Sequence, residues 1–379
     1  MRATISILLL ATLLQGNAQE PPALLRDNPY YTIARIFQTN SPAVGDFLPD
    51  LGIHDRSGKP FSPRDLKGRH HVVIFGCLTC PNFLERVEAY EGLRLDYESK
   101  GVGFYFVYKS LAHFERNGYV TPFTLTERLR HIREAEQRLD TKIPWLCDNM
   151  ANEFSTRMGR APNSEFVLNP EGKVIWKRAW SKPKSLRHFL VELIGPIAKP
   201  TIPDNLYYQF KPPPPAAPAG LVKRVEILRH LRPLIVEPVP EKNGSPFYAK
   251  LRVDADPELL AAGKGKGQLY LGFFLDRIYG VHWNNLIDPI RVEIDTPAGV
   301  TIRPTRLTGP RSKHPSDIDP REFLVDLEAT DISQPLKVTV HYHACNDQEG
   351  WCLPLTQRYV VQLKLDPAGG KPLGRMLHH

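Results

Sequence analysis

The feature that most constrains this chain is a pair of cysteines, Cys77 and Cys80, placed between a strand pattern and a helix pattern. Residues 71–76 form a short apolar run ending at glycine, which predicts a buried strand, and residues 83–100 carry the apolar stripe of a helix. Pro81 suits a first helical turn, where its missing N–H costs nothing. Free N–H groups at a helix start favour a thiolate, which is the attacking form of cysteine. The arrangement therefore predicts thiol redox chemistry.

Two other uses of such a pair are a zinc site and a structural staple. A four-cysteine zinc site needs a second pair, and the next close pair, Cys345 and Cys352, begins 265 positions after Cys80. Close pairs staple only short loops and so add little stability. We therefore expect neither a metal nor a bound organic cofactor. The fifth cysteine, Cys147, ends an apolar run and is predicted to be a buried inert thiol, with a third redox partner as the alternative.

The elements that follow the dithiol alternate between strand and helix. A second buried strand is predicted over 102–108, an amphipathic helix over 124–139, a hairpin over 165–177 and a closing helix over 186–194. The order strand, dithiol, helix, strand, helix, hairpin, helix predicts a thioredoxin-like α/β domain, which we place at 41–198.

Two motifs of this domain resemble known redox families. Residues 75–83, read Phe-Gly-Cys-Leu-Thr-Cys-Pro-Asn-Phe, and residues 107–113, read Val-Tyr-Lys-Ser-Leu-Ala-His, resemble the iodothyronine deiodinases over about 41–196. In that family the residue aligned with Cys80 is usually selenocysteine. The entry to the domain is similar to that of redoxins of the AhpC/TSA type, through residues 42–46, Gly58 and residues 66–68.

The departures from the deiodinase pattern favour thiol–disulfide exchange over dehalogenation. Cys80 is not selenocysteine, Asn82 replaces a proline, and Leu111 stands where the family has an acidic residue. Cys77 adds the second thiol of a thioredoxin-type pair. The peroxiredoxin loop Pro-x-x-x-Thr-x-x-Cys is not matched, because Thr79 directly precedes Cys80.

The resemblances leave open which sulfur attacks. Thioredoxins use the N-terminal, more exposed sulfur, here Cys77, whereas the deiodinase alignment indicates Cys80; we favour Cys77. Pro162 resembles the cis-proline that packs against the dithiol in the thioredoxin fold, with an ordinary trans loop proline as the alternative. His113 is a candidate proton donor near the thiols, or else a solvated loop histidine.

The second half of the chain has a different pattern. Short strand-like stretches separated by Gly, Pro and Asn predict an all-β, immunoglobulin-like sandwich over 221–367. Cys345 ends one strand and Cys352 begins the next segment. Together with Asp347, Gly350 and Pro354 they resemble the N-terminal domain of the thiol–disulfide interchange protein DsbD, with a spacing about one residue longer. The resemblance implies a redox pair; a hairpin staple is the alternative. Residues 282–285, His-Trp-Asn-Asn, are interpreted as a turn with a packed Trp.

The remaining segments predict export and a two-domain layout. Arg2, the apolar run 5–14 and the small residues 16–18 predict a signal peptide over 1–18, cleaved after Ala18. That run is too short to span a bilayer, and no transmembrane segment is expected beyond the signal. We expect a periplasmic or secreted protein. A leader with little structure over 19–40, a stiff Pro-rich linker over 199–220 and a tail over 368–379 complete the division.

The net charge of +8 is spread among acidic residues without a dense basic run, so nucleic acid is not an expected partner. The sequence thus predicts an exported thiol–disulfide oxidoreductase whose partners are protein thiols or disulfides, or another thioredoxin-like electron donor. Two alternatives remain: a deiodinase-like reductive dehalogenase or peroxide reductase acting through Cys80, and a non-catalytic secreted binding protein. The direction of electron flow, the substrate and the oligomeric state stay open.

Overall fold

A computed structural model of the chain describes residues 29–227, 230–241 and 244–370. The predicted signal peptide at 1–18 and the tail from residue 371 lie outside the described residues. The described chain forms a mixed α/β region followed by a largely β region. Within it, no helix is both long enough and apolar enough to cross a membrane.

The first region is built on a six-stranded sheet in the order β1-β4-β3-β2-β5-β6. The three middle strands β4, β3 and β2 run parallel, while β1, β5 and β6 each run antiparallel to a neighbour. This order confirms the thioredoxin-like α/β unit. The strands are β1 (Ile53–Asp55), β2 (His70–Gly76), β3 (Val102–Tyr108), β4 (Trp145–Asp148), β5 (Glu165–Leu168) and β6 (Val174–Arg178). The helices are α1 (Pro29–Asn40), α2 (Pro81–Leu84), α3 (Val87–Tyr97), α4 (Leu125–Arg138), α5 (Glu153–Arg157) and α6 (Pro183–Ile194).

The sheet is buried on both faces, as parallel strands of this kind require. On one face Phe83, Phe106 and Trp145 pack with ring centroids 4.9–5.6 Å apart. On the other, Phe166 packs against Phe75. Strands β2, β3 and β4 end at neighbouring register positions. Their carboxyl ends therefore lie side by side at one end of the sheet.

The leader departs from the sequence prediction. Residues 29–40 were expected to have little structure, yet they form α1. Ile33 and Phe37, four positions apart, lie on one face of this helix, and Phe37 is fully buried with its ring 5.4 Å from that of Phe166. The prediction was wrong here because this apolar pair completes the core beneath the sheet.

The helix after the dithiol is interrupted. Instead of one helix over 83–100, the chain forms α2 and α3, separated at Arg86, whose φ is −116°. The helix that directly follows the cysteines therefore has only four residues. Few aligned peptide dipoles stand behind the sulfurs, so the favourable charge at the helix start is smaller than expected.

The second region contains eleven strands. Nine of them follow one continuous order, β12-β15-β9-β8-β7-β17-β16-β11-β13, all with antiparallel neighbours, and the remaining two, β10 and β14, pair with each other. This confirms a largely β region. Strand β7 joins its two halves, pairing with β8 through Arg232 and Pro233 and with β17 through its later residues. Inward side chains of both halves form one core. The strands are β7 (Arg232–Val239), β8 (Ala249–Ala255), β9 (Gly265–Leu275), β10 (Trp283–Asn284), β11 (Arg291–Asp295), β12 (Val300–Arg303), β13 (Arg306–Thr308), β14 (Ser316–Asp317), β15 (Arg321–Ala329), β16 (Leu336–Asn346) and β17 (Trp351–Leu365), with one helix, α7 (Pro257–Ala262).

The Pro-rich segment 199–220 is not a free spacer. The Thr201 hydroxyl donates to Asp96 at 2.6 Å, and the Tyr208 N–H donates to the Glu85 carbonyl at 2.8 Å. At its far end the Gly220 N–H donates to Asp319 of the second region at 2.7 Å. The segment expected to be a stiff linker thus lies against both regions and finds hydrogen-bond partners on each.

The two regions meet in a buried polar and aromatic interface. The Lys250 ammonium lies 2.6 Å from a Glu127 oxygen and 2.9 Å from an Asp276 oxygen, with all three side chains buried. Phe114 packs edge-on against Phe274 with centroids 4.8 Å apart. A buried ammonium is stable only with such partners, so this cluster ties the two regions together.

Candidate active site

The predicted dithiol lies at the carboxyl end of β2. Cys77 directly follows the strand, and Cys80 caps α2, whose Leu84 N–H donates to the Cys80 carbonyl at 3.0 Å. Both cysteines are unbonded thiols. Cys77 is 0% exposed and Cys80 is 2% exposed. The expectation that Cys77 is the more exposed sulfur was therefore wrong, and both sulfurs are shielded from solvent.

The Cys77 sulfur receives a hydrogen bond from its surroundings. The Ala112 N–H donates to it at 3.3 Å. The Thr79 hydroxyl lies 3.4 Å away and itself accepts the His113 N–H at 3.2 Å. The Cys77 sulfur is therefore buried and held by a hydrogen bond from the loop that follows β3.

Cys80 has a different environment. Burial raises the pKa of the Cys80 thiol to about 12, and the nearby Cys77 sulfur contributes in the same direction. At neutral pH Cys80 thus holds its proton.

A loop over residues 109–120, here called the covering loop, closes over the dithiol. Its Asn117 amide donates to the Leu78 carbonyl at 2.9 Å. The second region holds the other side of this loop, since Arg224 pairs with Glu115 at 2.8 Å and Arg277 donates to the Asn117 carbonyl. The burial of Cys77 therefore depends on contacts from the second region.

The two other residues predicted for this site, His113 and Pro162, have different outcomes in the structure. His113 does lie at the dithiol, and its contact there is made by the backbone N–H that reaches Thr79. The cis-proline prediction was wrong: the bond before Pro162 is trans, and the cis peptide in the described chain precedes Pro304. Gly159 and Arg160, shortly before Pro162, have positive φ.

Cys147 lies in β4 and is buried, as the sequence predicts. Burial raises the pKa of its thiol to about 12, and its Sγ donates to the Asp148 carbonyl at 3.4 Å. Such a thiol is unreactive at neutral pH. In the described part of the chain, no group of three or more His, Cys, Asp or Glu side chains could hold a metal ion.

The second pair, Cys345 and Cys352, forms a disulfide. The two residues are direct partners in the β16–β17 hairpin, facing each other across a tight connection. Cys345 is buried, whereas Cys352 is exposed. Cys352 therefore lies on the solvent-facing side of the hairpin.

The unassigned segment His-Trp-Asn-Asn lies beside this disulfide, which the sequence alone did not reveal. His282 and Cys345 exchange two backbone hydrogen bonds of 2.9 and 3.1 Å, and the Asn284 amide lies 3.7 Å from the Cys352 sulfur. Trp283 is buried, as predicted, but it lies in a two-residue strand rather than a turn. More than 60 positions separate this segment from Cys345, so no local pattern could have linked them.

A cavity of about 320 Å³ lies between the covering loop and the second region. Glu115 and Gly118 of the covering loop line one side, and Asp347 and Gln348 from the turn between the paired cysteines line another. The loop that shields the dithiol and the loop that carries the disulfide therefore border the same space.

The chain matches no family model and no curated protein. Among solved structures, it is similar to a thiol:disulfide interchange protein from Bacteroides sp. at 15% identity, covering 42% of this chain and 94% of the other, with a TM-score of 0.33. It is also similar to the thioredoxin domain of a thiol-disulfide oxidoreductase from Bacteroides vulgatus, at 16% identity, 40% and 98% coverage, and a TM-score of 0.31. A thioredoxin-like protein from Porphyromonas gingivalis matches at 16% identity, 39% and 91% coverage, and a TM-score of 0.32. The strand order of the first region is that of a thioredoxin-like sheet.

Proposed function

We propose that this protein is an exported thiol–disulfide oxidoreductase in which Cys77 attacks and Cys80 resolves. The observation that carries the proposal is the contrast between the two sulfurs. Cys77 accepts a hydrogen bond from the Ala112 N–H and lies 3.4 Å from the Thr79 hydroxyl, whereas Cys80 keeps its proton at neutral pH. Disulfide exchange needs one sulfur that attacks and one that resolves, and this contrast supports Cys77 in the first role.

The exchange proceeds in two balanced steps. The Cys77 thiolate attacks one sulfur of a substrate disulfide, forms a mixed disulfide and releases the other sulfur as a thiolate, which takes a proton from solvent. Cys80 then loses its proton and attacks the Cys77 sulfur, which forms the Cys77–Cys80 disulfide and releases the second substrate thiol. The substrate gains two electrons, and the dithiol loses two. The reverse sequence oxidises a substrate dithiol.

Access to Cys77 requires the covering loop to move. No protein substrate reaches a sulfur that is fully buried, so the loop over 109–120 must open before exchange occurs. Its contacts with the second region, through Phe274 and Arg277, set the free energy of that opening. The closed form therefore protects the dithiol until those contacts are released.

The second region supports a partner role within the same proposal. We assign it to an immunoglobulin-like sandwich of the DsbD type, with Cys345–Cys352 as a second working pair whose exposed sulfur is Cys352. Its turn borders the same cavity as the covering loop, which suits transfer between the two pairs. A disulfide outside the dithiol also suits a periplasmic or secreted protein, because such bonds persist outside the cytosol.

Insulin reduction with the full chain tests the proposal. Cys77→Ser and Cys80→Ser should abolish the activity, while Cys147→Ser, which removes a buried thiol away from the dithiol, should retain it. Loss of activity in Cys147→Ser to the same degree would contradict the assignment. Deiodination and peroxide assays run on the same proteins separate the alternatives: activity there that depends on Cys80 alone would favour a dehalogenase or peroxidase, and inactivity of the wild type in every assay would favour a binding protein.

A further inference from the structure

A cleft of about 460 Å³ borders the short helix that follows Cys80. Its first side is formed by Asn82 and Arg86, which lie in α2 and in the turn after it. Its second side is formed by residues 180–184, where β6 leads into α6, and its third by residues 204–207 of the Pro-rich segment. We call this site the basic cleft. None of its lining residues takes part in the exchange steps described above.

The Pro-rich segment is held in place where it forms the third side of the basic cleft. The hydrogen bonds of Thr201 and Tyr208 described above flank residues 204–207. Between these two attachments, Leu206 is 36% exposed and Tyr207 is 67% exposed. A fixed segment thus presents two large apolar side chains to solvent, and adjoining exposed apolar groups of this kind are typical of a surface that meets a partner.

Aromatic rings add further apolar surface to the basic cleft. Tyr30 is 59% exposed, and its ring lies 5.0 Å from that of Trp180. The Trp180 indole N–H donates to the Tyr30 carbonyl at 3.2 Å, which fixes the two residues together. Tyrosine, tryptophan and arginine are the residue types in which protein–protein interfaces are enriched. The basic cleft therefore has the composition of a protein-binding surface.

The charge of the basic cleft is mostly positive. Arg86, Arg178, Lys182 and Lys184 line it, against a single carboxylate. Lys182 and Lys184 are exposed, and within the described part of the chain neither of them forms an ion pair. Several charges of one sign around a cleft raise the local concentration of ligands with the opposite charge. The basic cleft is therefore complementary to an anionic ligand.

The carboxylates near these cations do not neutralise them. Asp204, the carboxylate in the lining, accepts hydrogen bonds of 2.6 and 2.7 Å from Arg187, which lies outside the lining. Arg178 lies 3.8 Å from Glu165. Burial raises the pKa of that carboxyl to about 7, so it is partly protonated at neutral pH. The positive charge of the basic cleft thus remains available to a ligand.

We propose that the basic cleft is the docking site for an acidic peptide segment of the protein substrate. The inference rests on the proposed function and adds the class of substrate. Carboxylates of the segment pair with Lys182 and Lys184, an apolar side chain rests on Tyr207, and the amides of Asn82 and Asn205 are available to the peptide backbone. The volume is in the range of about 300–1,000 Å³ typical of ligand pockets, which suits a short extended segment rather than a whole folded face.

The position of the basic cleft suits a substrate of the dithiol. Arg86 is close enough to Cys80 for its charge to oppose the burial that raises the pKa of that thiol. A segment bound in the basic cleft therefore stays beside the dithiol while the covering loop opens. No residue of the covering loop lines the basic cleft, so binding there can be measured with the loop closed.

The test measures binding separately from reduction. Two synthetic peptides of equal length share the same apolar residues and carry serine in place of cysteine; one is rich in glutamate and the other in lysine. Each is labelled with a neutral dye and titrated with the full chain, and binding is followed by fluorescence anisotropy. The variant combines Lys182→Glu with Lys184→Glu. The control combines Lys67→Glu with Lys142→Glu, which makes the same change of charge at exposed lysines outside the basic cleft.

We expect the wild type at low salt to bind the acidic peptide about tenfold more tightly than the basic one, and the preference to shrink as salt is added. The variant at Lys182 and Lys184 should bind the acidic peptide about tenfold more weakly than the wild type, and the control at most about threefold more weakly. Equal affinity of the wild type for the two peptides would overturn the inference, and so would equal losses in the variant and the control. Vesicles of anionic phospholipid serve as a further probe: binding to them through Lys182 and Lys184, without binding of the acidic peptide, would also overturn it.

The same peptides with a disulfide restored separate this inference from the proposed function. If the wild type binds the acidic serine peptide through Lys182 and Lys184 but reduces neither disulfide peptide, the function fails and the docking site stands. If both disulfide peptides are reduced at the same rate and both serine peptides bind equally well, the function stands and this inference fails.

Discussion

The buried carboxyl of Glu165 allows a direct test of how burial changes a pKa in this fold. This carboxyl begins β5 and is fully buried. Its two oxygens accept the Tyr90 hydroxyl at 2.7 Å and the Lys182 N–H at 2.9 Å. Burial outweighs these hydrogen bonds and raises the pKa of Glu165 from its ordinary 4.5 to about 7. The folded protein therefore binds this proton more tightly than the unfolded chain does.

The size and sign of the effect follow from linkage. A pKa difference of about 2.5 corresponds to about 3 kcal/mol, at ~1.4 kcal/mol for each pKa unit. Because the folded pKa is the higher one, this stabilisation is fully present below about pH 4.5 and is lost as the pH rises through about 7. Glu165→Gln removes the titration, so the variant should not suffer that loss.

The assay is urea unfolding at about pH 5 and about pH 8 for the wild type, Glu165→Gln and the exposed control Glu171→Gln. Between the two pH values the free energy of unfolding of the wild type should fall by about 2.5 kcal/mol more than that of Glu165→Gln, because pH 5 already lies above the unfolded pKa of 4.5. Glu171→Gln should behave like the wild type. An identical pH dependence for the wild type and Glu165→Gln would refute the reasoning, since it would mean that the buried carboxyl titrates as it does in the unfolded chain.

Three further substitutions test the packing of the two regions. Lys250→Met leaves two buried carboxylates uncompensated and should lower the free energy of unfolding in urea by about 3–5 kcal/mol. The exposed control Lys266→Met should lower it by less than about 1 kcal/mol. Equal losses in the two variants would contradict a stabilising role for the buried Lys250 cluster. Phe114→Ala removes the ring that rests on Phe274, so Cys77 should be alkylated faster in the folded protein, as measured by peptide mass spectrometry; an unchanged rate would mean that this contact does not hold the loop closed. Phe37→Ala should destabilise the protein by about 3–5 kcal/mol, and a loss near zero would show that α1 is not part of the core.

The sequence alone predicts the features that depend on residues close together in the chain. The apolar run before Cys77 predicts strand β2, and the order of strands and helices after it predicts the rest of the sheet. Together they place the dithiol at the carboxyl end of β2. The pairing of Cys345 with Cys352 was likewise suggested by their positions at either end of a hairpin. In each case residues close in sequence are also close in the structure, so the pattern carries the information.

The features that the sequence missed depend on long-range contacts. The burial of Cys77 arises because the covering loop is held by Phe274 and Arg277, which lie more than 150 positions from it. The Pro-rich segment looked like a spacer because composition does not show where its backbone groups find partners, such as Asp319 for Gly220.

The central claim is that Cys77, and not Cys80, is the sulfur that attacks. The measurement that tests it most directly is trapping of a mixed disulfide with a protein substrate, followed by mass spectrometry of the linked peptide. Cys80→Ser should accumulate a complex linked through Cys77, because the resolving thiol is missing, and Cys77→Ser should form none. A stable complex linked through Cys80 in the Cys77→Ser protein, with none in Cys80→Ser, would contradict the account.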